Sequence, residues 1–190
     1  MLVVYSQHKL SAMQIDGRIK LISVFILLGA LSRLLPHPMN FTPLAAMALF
    51  GGTYLMDKRL SFIIPITAMF LSDILLEIKN GTGFYPEMIW VYGSIVLITF
   101  LGFFLRGREQ RQTIMVASLL GSMLFFFLTN FGTWLTGYYG YTSQGLANCY
   151  IAAIPFFKGT VMGDLFYNLM FFGGFALVRW ASPSLVKRKI

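Results

Sequence analysis

Two carboxylates within one apolar stretch are the side chains of this sequence best suited to chemistry. Asp73 and Glu77 lie four residues apart in residues 60–78, a spacing that puts both on one face of a helix. Ionisable groups in such a segment rarely face lipid and usually point into a helix bundle or a wet cavity. We expect Arg33, near the end of an earlier apolar stretch, to pair with Asp73 because a buried charge needs a partner. That pair belongs either to the scaffold or to a binding site.

A polar and aromatic stripe is the second group of interest. Asn130, Trp134 and Tyr138 recur at four-residue spacing and combine stacking surfaces with hydrogen-bonding groups. Asn148 and Tyr150 follow in the next connection. Trp and Tyr are generally enriched at membrane interfaces, so an interfacial belt is the alternative interpretation of Trp134 and Tyr138.

Residues 33–43 form a turn stiffened by prolines, which should hold its side chains in fixed positions. Arg33, His37 and Asn40 lie in this turn, although His37 is equally suited to bonding a loop carbonyl. The complete set of side chains that we expect to contact a ligand is Arg33, His37, Asn40, Asp73, Glu77, Asn130, Trp134, Tyr138, Asn148 and Tyr150.

Other reactive side chains indicate packing more than chemistry. Asp164 and Asn168 are four residues apart, which suits a polar clasp between helices. Cys149 is the single cysteine, which excludes an internal disulfide and a multi-cysteine metal cluster. His37 and the carboxylates lack the spacing of metal ligands. We therefore expect no metal and no cofactor.

The elements that position these residues are apolar helices. Hydrophobic residues make up 57% of the 190 residues and charged residues only 12%, against about 25% charged in soluble domains. A span needs about 17 to 25 apolar residues, so the composition predicts an all-α integral membrane bundle with one domain, residues 1–190. A short interfacial helix is expected near residues 3–15. The six predicted spans are residues 19–35, 41–56, 60–78, 88–105, 113–135 and 155–180.

The basic residues predict the orientation of this bundle. All but three of the 15 Lys and Arg fall in alternate connections, which the positive-inside rule assigns to the cytoplasm together with both termini. Arg33, Lys79 and Lys158 mark the opposite, outer end. The net charge of +8 thus reflects topology and anionic lipid, and no nucleic-acid partner is expected. No removable signal peptide is apparent, so the amino terminus is expected to stay in the mature protein.

Prolines and glycines predict several local features. Pro43 and Pro86 should each open a helix at the outer end, and Pro155 should open the last span. Pro65 should mark the first turn of its helix or kink it. The glycine pair 51–52 favours close packing or an irregular turn.

Six blocks are spread over nearly the whole chain: RLLPHPMNFTP at 33–43, LFGG at 49–52, LSD at 71–73, TNFGTW at 129–134, CY at 149–150 and IPFF at 154–157. These blocks resemble those of an uncharacterised family of small bacterial six-span membrane proteins, and this resemblance implies the bacterial inner membrane as the location. The size, the six predicted spans and the cytoplasmic termini are in turn similar to the substrate-binding S-components of energy-coupling-factor vitamin transporters.

The second resemblance implies a vitamin-sized ligand near the outer face and transport by toppling of the bundle. It also implies docking to a transmembrane coupling subunit and its ATPases through small-residue helix faces. Ala48 and Gly52, with Ala45 nearby, have the spacing for such a face, whereas the alanine motif usual in the first span is not evident. Solitary cobalamin importers also resemble this layout, and in them a cysteine can ligate cobalt, whereas Cys149 is expected in an outer loop.

Together these features predict a membrane transport protein, not an enzyme, that binds a small organic solute at the outer face and imports it. The solute is expected to be a vitamin or precursor. The alternative is an intramembrane enzyme acting on a lipid or small molecule, with Asp73 or Glu77 as general base and His37 as acid. No serine-histidine or zinc motif of a known membrane hydrolase supports that alternative. A structural membrane protein without a ligand is the third interpretation.

Overall fold

The structure, a computed structural model, describes residues 17–183, which form helices and connecting loops without a strand. This confirms the all-α class, and the interfacial helix expected at 3–15 lies outside the described residues. The helices are α1 Gly17–Ser32, α2 Leu44–Tyr54, α3 Lys58–Asn80, α4 Met88–Phe104, α5 Arg111–Leu135 and α6 Ser143–Asn168, followed by a π-helical turn Leu169–Gly173 and α7 Gly174–Ala181.

Three of the described helices are long and apolar enough to cross a membrane. These are α3, α5 and the continuous helix of 39 residues that joins α6 to α7. The other helices α1, α2 and α4 have 16, 11 and 17 residues. At about 1.5 Å per residue they fall short of the ~30 Å hydrocarbon core. The helices indicate a membrane protein, and the count of six spans stays a prediction.

The outer surface of the helices carries many large apolar side chains. Leu28 on α1, Phe104 on α4 and Leu177 on α7 are each at least 60% exposed. Soluble monomers rarely expose extensive apolar patches. The surface therefore suits a lipid environment better than water.

The short helix α2 forms the centre of the bundle, and all of its residues are buried. It crosses α4 at Gly52 and Gly102 with the two backbones in contact. A Cβ atom added to Gly52 would lie 2.3 Å from the carbonyl oxygen of Thr99, and one on Gly102 would lie 2.6 Å from that of Leu49. The close packing predicted at the glycine pair is thus confirmed.

This arrangement corrects one expectation about partners. Ala45, Ala48 and Gly52 are buried inside the bundle. The face that they form contacts other helices of the same chain because α2 is surrounded. It is not available for docking of a coupling subunit.

Two arginines hold the carboxyl end of α2. Arg106 donates from Nε to the carbonyl of Gly52 at 2.9 Å and from Nη2 to that of Leu55 at 2.7 Å. Arg18 donates to the carbonyl of Tyr54 at 3.2 Å. The last carbonyls of a helix have no partner within it and carry partial negative charge, so both arginines are stabilising there. Arg18 and Arg106, which the positive-inside rule interprets as topological signals, therefore also stabilise the fold.

The substitution Arg106→Met should destabilise the protein because it removes the side-chain donor to the buried carbonyl of Gly52 and one of two donors to that of Leu55. An orphaned buried acceptor costs about 1 to 3 kcal/mol, so the Tm of the detergent-purified protein should fall clearly. The matched control is Arg108→Met, since Arg108 lies two residues away and is exposed. Equal Tm values for the two variants would contradict the role of Arg106.

The amino end of α2 is held by α6. Asp164 accepts a hydrogen bond from the backbone N–H of Ala46 and another from Ser122 Oγ at 2.6 Å. One turn further along α6, Asn168 donates to Ser118 Oγ at 2.9 Å. The polar clasp predicted for Asp164 and Asn168 is confirmed, and it joins α6 to α5 and α2.

Helix boundaries agree with the proline signals only in part. α2 and α4 begin one and two residues after Pro43 and Pro86. The expectation that Pro155 opens the last helix was wrong, because α6 begins at Ser143 and contains Pro155. Thr142 accounts for the earlier start, since its hydroxyl caps the helix by accepting from the backbone N–H of Gly145.

Pro65 lies inside α3, beyond its first turn. Its ring lies against α2, where a Cβ atom on Gly51 would be 2.8 Å from Pro65 Cγ. A proline inside a helix removes one backbone hydrogen bond. Here its ring contributes to the packing of the central helix.

Candidate functional site

A buried ion pair joins α1 to α3. Arg33 Nη1 lies 2.6 Å from Asp73 Oδ1, and Arg33 also donates to Ser72 Oγ. The second carboxylate oxygen of Asp73 accepts from the Tyr92 hydroxyl at 2.7 Å. Asp73 is 1% exposed, so the charge is compensated locally as a buried charge requires. The predicted interaction of Arg33 with Asp73 is confirmed.

Beside this pair the bundle contains a cavity of about 480 Å³. It lies where α1 and α5 end and where α2, α4 and α6 begin. In the predicted topology this is the outer end of the bundle, which is poor in Lys and Arg. The cavity therefore lies at the end where the ligand is expected.

Five aromatic side chains contribute to the walls of the cavity. Phe125 and Phe126 from α5 face Phe156 from α6, and Tyr85 and Tyr139 from the loops complete the lining. Aromatic rings provide large apolar contact area, and tyrosines add a hydroxyl. Such a wall suits a planar organic ligand.

Eight polar or charged side chains also line the cavity. Asn130 donates from Nδ2 to the carbonyl of Phe126 at 2.8 Å, and its Oδ1 accepts from no residue that the structure describes. Thr129 and Thr133 donate to carbonyls one turn earlier in α5. Their oxygen lone pairs and the Asn130 Oδ1 therefore remain as acceptors for a bound molecule.

Two charged side chains contribute to the lining of the cavity. Arg33 contributes a cation, and Glu87 contributes a carboxylate that forms neither an ion pair nor a hydrogen bond within residues 17–183. Burial raises the pKa of the Tyr85 phenol above its usual range, and the Asp73 carboxylate raises it further. Tyr85 is therefore a neutral hydroxyl donor. No group of three or more His, Cys, Asp or Glu that could hold a metal occurs in the described chain.

Glycines on α6 place the prolyl turn over the cavity. A Cβ atom on Gly159 would lie 2.1 Å from the carbonyl oxygen of Met39, and one on Gly163 would lie 2.9 Å from the backbone nitrogen of Thr42. Between these contacts Asn40 has a left-handed backbone with φ of 58°, a conformation that asparagine tolerates better than most residues. This brings Asn40 and Thr42 into the lining.

Of the ten predicted contact residues, the structure brings three together around the cavity. Arg33, Asn40 and Asn130 line it. Asp73 lies behind Arg33 with both carboxylate oxygens occupied. It therefore orients the guanidinium.

The other predicted aromatic residues lie outside the lining. Trp134 donates from Nε1 to the carbonyl of Gly140 at 2.9 Å and so holds the following loop. Tyr138 is 84% exposed. Tyr150 donates its hydroxyl to the carbonyl of Phe127 at 2.7 Å. The three therefore contribute to packing and to the surface, as the belt interpretation of Trp134 and Tyr138 expects.

The remaining predicted polar residues also lie outside. His37 is exposed, and its Nδ1 lies 2.9 Å from the carbonyl oxygen of Pro38. Glu77 is exposed and accepts from the backbone N–H of Gly83 at 2.8 Å, which fixes the α3–α4 loop. Asn148 is exposed and accepts from Gln144 within α6. The four-residue spacing predicts that Asp73 and Glu77 share a helix face and the site. Glu77 lies near the end of α3 and bonds the loop that follows, so it does not line the cavity.

Sequence reasoning missed several lining residues. Tyr85, Glu87 and Tyr139 lie in connections, where periodicity gives no signal. Thr42 lies in the prolyl turn, whose side chains were only partly assigned. Cys149 was expected in an outer loop, whereas it lies inside α6, lines the cavity and donates from Sγ to the carbonyl of Asn130 at 3.4 Å.

Comparisons with known proteins give one match. No curated protein and no solved structure shows significant similarity to the chain. They provide no link to vitamin-transporter S-components, and that likeness stays a prediction. Residues 13–185 match DUF6580, a family of unknown function. Because the match covers most of the chain, this protein belongs to the family of unknown function DUF6580.

Proposed function

We propose that this protein is a six-span bundle of the bacterial inner membrane that binds a small organic solute at its outer end and imports it. Both termini then lie in the cytoplasm. The observation that carries the proposal is the cavity of about 480 Å³ at the end of the bundle poor in Lys and Arg. Substrate sites of transporters have to be reachable from one side of the membrane, and this cavity opens beneath the loops of that end.

The lining supports a ligand of the size of a single-ring vitamin or its precursor. Pockets for such ligands have about 300 to 1,000 Å³, a range that includes this cavity, whose lining combines aromatic side chains with polar and charged ones. Arg33 and Glu87 offer charges of both signs, and Asn130 offers an acceptor. A corrin ring with its nucleotide arm is larger than this cavity, so a smaller solute is favoured over cobalamin.

Partnership with a transmembrane coupling subunit and ATPases stays a prediction. The face of Ala48 and Gly52 is buried, so docking would need small residues on another surface. Gly93 on α4 is exposed with no atom within 4 Å of an added Cβ. It is a residue at which a neighbouring helix could approach closely.

The topology has a direct test. Reporter fusions after Ile190 and within residues 140–142 should report opposite sides of the membrane, because the basic residues assign the carboxyl terminus to the cytoplasm and this loop to the outside. A cytoplasmic signal at Ile190 and an outer signal in the loop are expected. Signals from the same side at both positions would overturn the topology and the side of the cavity.

The site itself is tested by native mass spectrometry of gently purified protein, which should release a small molecule of defined mass. Ala153→Trp fills the cavity from α6 and should abolish the extra mass. Ile154→Trp is the matched control, since the neighbouring side chain is 61% exposed and is not part of the lining. Retention of the molecule by Ala153→Trp, or loss from both variants, would contradict this binding site.

The enzyme alternative receives no comparable support. It requires Asp73 or Glu77 as base and His37 as acid. Asp73 is occupied by Arg33 and Tyr92, and Glu77 by loop amides. A general base has to reach the proton that it abstracts, and neither carboxylate lines the cavity.

A further inference from the structure

A second polar centre lies in the interior between α5 and α6. It consists of Ser118 and Ser122 on α5 and of Asp164 and Asn168 on α6, each at most 3% exposed. Asp164 Oδ2 lies 2.6 Å from Ser122 Oγ, and Asn168 Nδ2 lies 2.9 Å from Ser118 Oγ. We call these four residues the Asp164 cluster. Asp164 also accepts from the amino end of α2. None of the four residues lines the cavity.

The cluster has more acceptors than donors. Ser122 Oγ lies within hydrogen-bond distance of both Asp164 Oδ2 and the carbonyl oxygen of Ser118, at 2.6 and 3.1 Å, although a hydroxyl carries one proton. The Oδ1 atom of Asn168 is buried and has no hydrogen-bond partner in the described chain. A buried acceptor without a donor is costly. Both observations indicate a missing positive group.

Asp164 also lacks a compensating charge. The groups that act on its carboxylate are the Ser122 hydroxyl and the Ala46 amide, and both are uncharged. The ion pair found among residues 17–183 is at Asp73, where Arg33 compensates the charge. On the packed elements, α2 presents Ala46, α5 presents the two serines and α6 itself presents Asn168. An isolated carboxylate in an apolar interior is strongly disfavoured, and in membrane proteins such residues mark ion or proton pathways.

We propose that the Asp164 cluster binds one monovalent cation, a proton or Na⁺, directly beneath the cavity. As a proton, the cation converts the carboxylate to a carboxylic acid, whose O–H donates to Ser122 Oγ. The Ser122 hydroxyl then donates to the Ser118 carbonyl, so the two contacts of Ser122 Oγ no longer compete for one proton. In this form Asn168 Oδ1 still has no donor within the cluster. As Na⁺, the cation is coordinated by the oxygens of Asp164, Ser122 and Asn168. Either form supplies a single positive charge.

The cluster is placed to couple this cation to the solute. Thr160 lines the cavity one turn before Asp164 on α6, and Phe126 lines it one turn after Ser122 on α5. Leu44 lines it two residues before Ala46 on α2. The π-helical turn begins directly after Asn168, and such turns are frequent at functional sites. Coupling rests on the proposed solute binding, whereas the cation site itself does not.

The test is labelling of the full-length protein in liposomes with dicyclohexylcarbodiimide. A protonated carboxyl in an apolar site adds across one C=N bond of this reagent and retains its whole mass, without a leaving group. The wild-type protein should gain one adduct at acid pH, located at Asp164 by peptide mapping. The labelling rate should fall about tenfold per pH unit once the carboxyl ionises. Asp164→Asn, which keeps the size and a hydrogen-bonding side chain, should not be labelled.

The control variant is Glu77→Gln, which removes an exposed carboxyl and should leave the adduct unchanged. Protection by Na⁺ at fixed pH, but not by K⁺, assigns the site to Na⁺, and an absence of protection assigns it to the proton. A wild-type protein that stays unlabelled from acid to alkaline pH, or an adduct at another residue, would overturn the proposal. Labelling requires no solute, so its outcome is independent of whether Ala153→Trp loses the copurifying molecule.

Discussion

Asp73→Ala is expected to lower the free energy of unfolding by about 3 to 5 kcal/mol, the cost typical of breaking a buried ion pair from one side. The change leaves the Arg33 guanidinium, whose side chain is 10% exposed, without its counter-ion. It also removes the acceptor of the Tyr92 hydroxyl. The measurement is the Tm or denaturant midpoint of the detergent-purified protein.

Two further variants test whether the loss of stability comes from the unpaired charge or from the lost side-chain volume. Glu77→Ala also removes a carboxylate from α3, but Glu77 is exposed and bonds only loop amides, so its effect should be smaller. Arg33→Met combined with Asp73→Leu should recover most of the lost stability, because no unpaired charge remains. If Asp73→Ala leaves stability unchanged but abolishes solute binding, the carboxylate belongs to the site and not to the scaffold.

Gly102→Ala should be about as harmful, although it adds only one methyl group. Its Cβ atom would lie 2.6 Å from the carbonyl oxygen of Leu49 and 2.9 Å from Cα of Gly52. Both are backbone atoms of the central helix α2, which cannot rotate away as a side chain can. Overpacking of a tight core costs about 1 to 3 kcal/mol, and we expect the upper end because α2 is surrounded.

Gly93→Ala is the matched control on the same helix. An added Cβ atom there has no neighbour within 4 Å, and alanine favours a helix over glycine by up to about 1 kcal/mol. The same substitution should thus raise the Tm at residue 93 and lower it at residue 102. Changes of the same sign at both residues would contradict the backbone contact between α2 and α4.

The helices were predictable because apolar stretches and their flanking charges are local features of the sequence. The lengths of the helices were less predictable. Hydropathy counts apolar residues in turns as well as in helices, so residues 41–56 were interpreted as a span although α2 has 11 helical residues. For the last helix the predicted length was too short. Pro155 was interpreted as its start, whereas Thr142 caps it, so the first turns of α6 were assigned to a loop.

The cavity lies at the end of the bundle where the site was predicted, but only some of the predicted residues line it. A four-residue spacing establishes that Asn130 and Trp134 share a helix face. It does not show which part of the molecule each of these side chains contacts. Asn130 meets the cavity, whereas Trp134 is one turn nearer the loop and bonds Gly140. Tyr85 and Glu87 line the cavity because they lie in the loop between α3 and α4. The course of a loop leaves no periodic pattern in the sequence from which it could be predicted.

The central helix also constrains the order in which the protein can assemble. α2 has 11 residues, and its amino end is bonded to Asp164 of α6, the last long helix to be synthesised. Its carboxyl end needs Arg18 and Arg106 from the flanks of two other helices. A nascent chain that has reached α5 still leaves the first amides of α2 without Asp164. Insertion therefore finishes with α6, and ribosome-bound chains that end before it should retain a loosely held α2 and be the preferred substrates of membrane quality-control proteases.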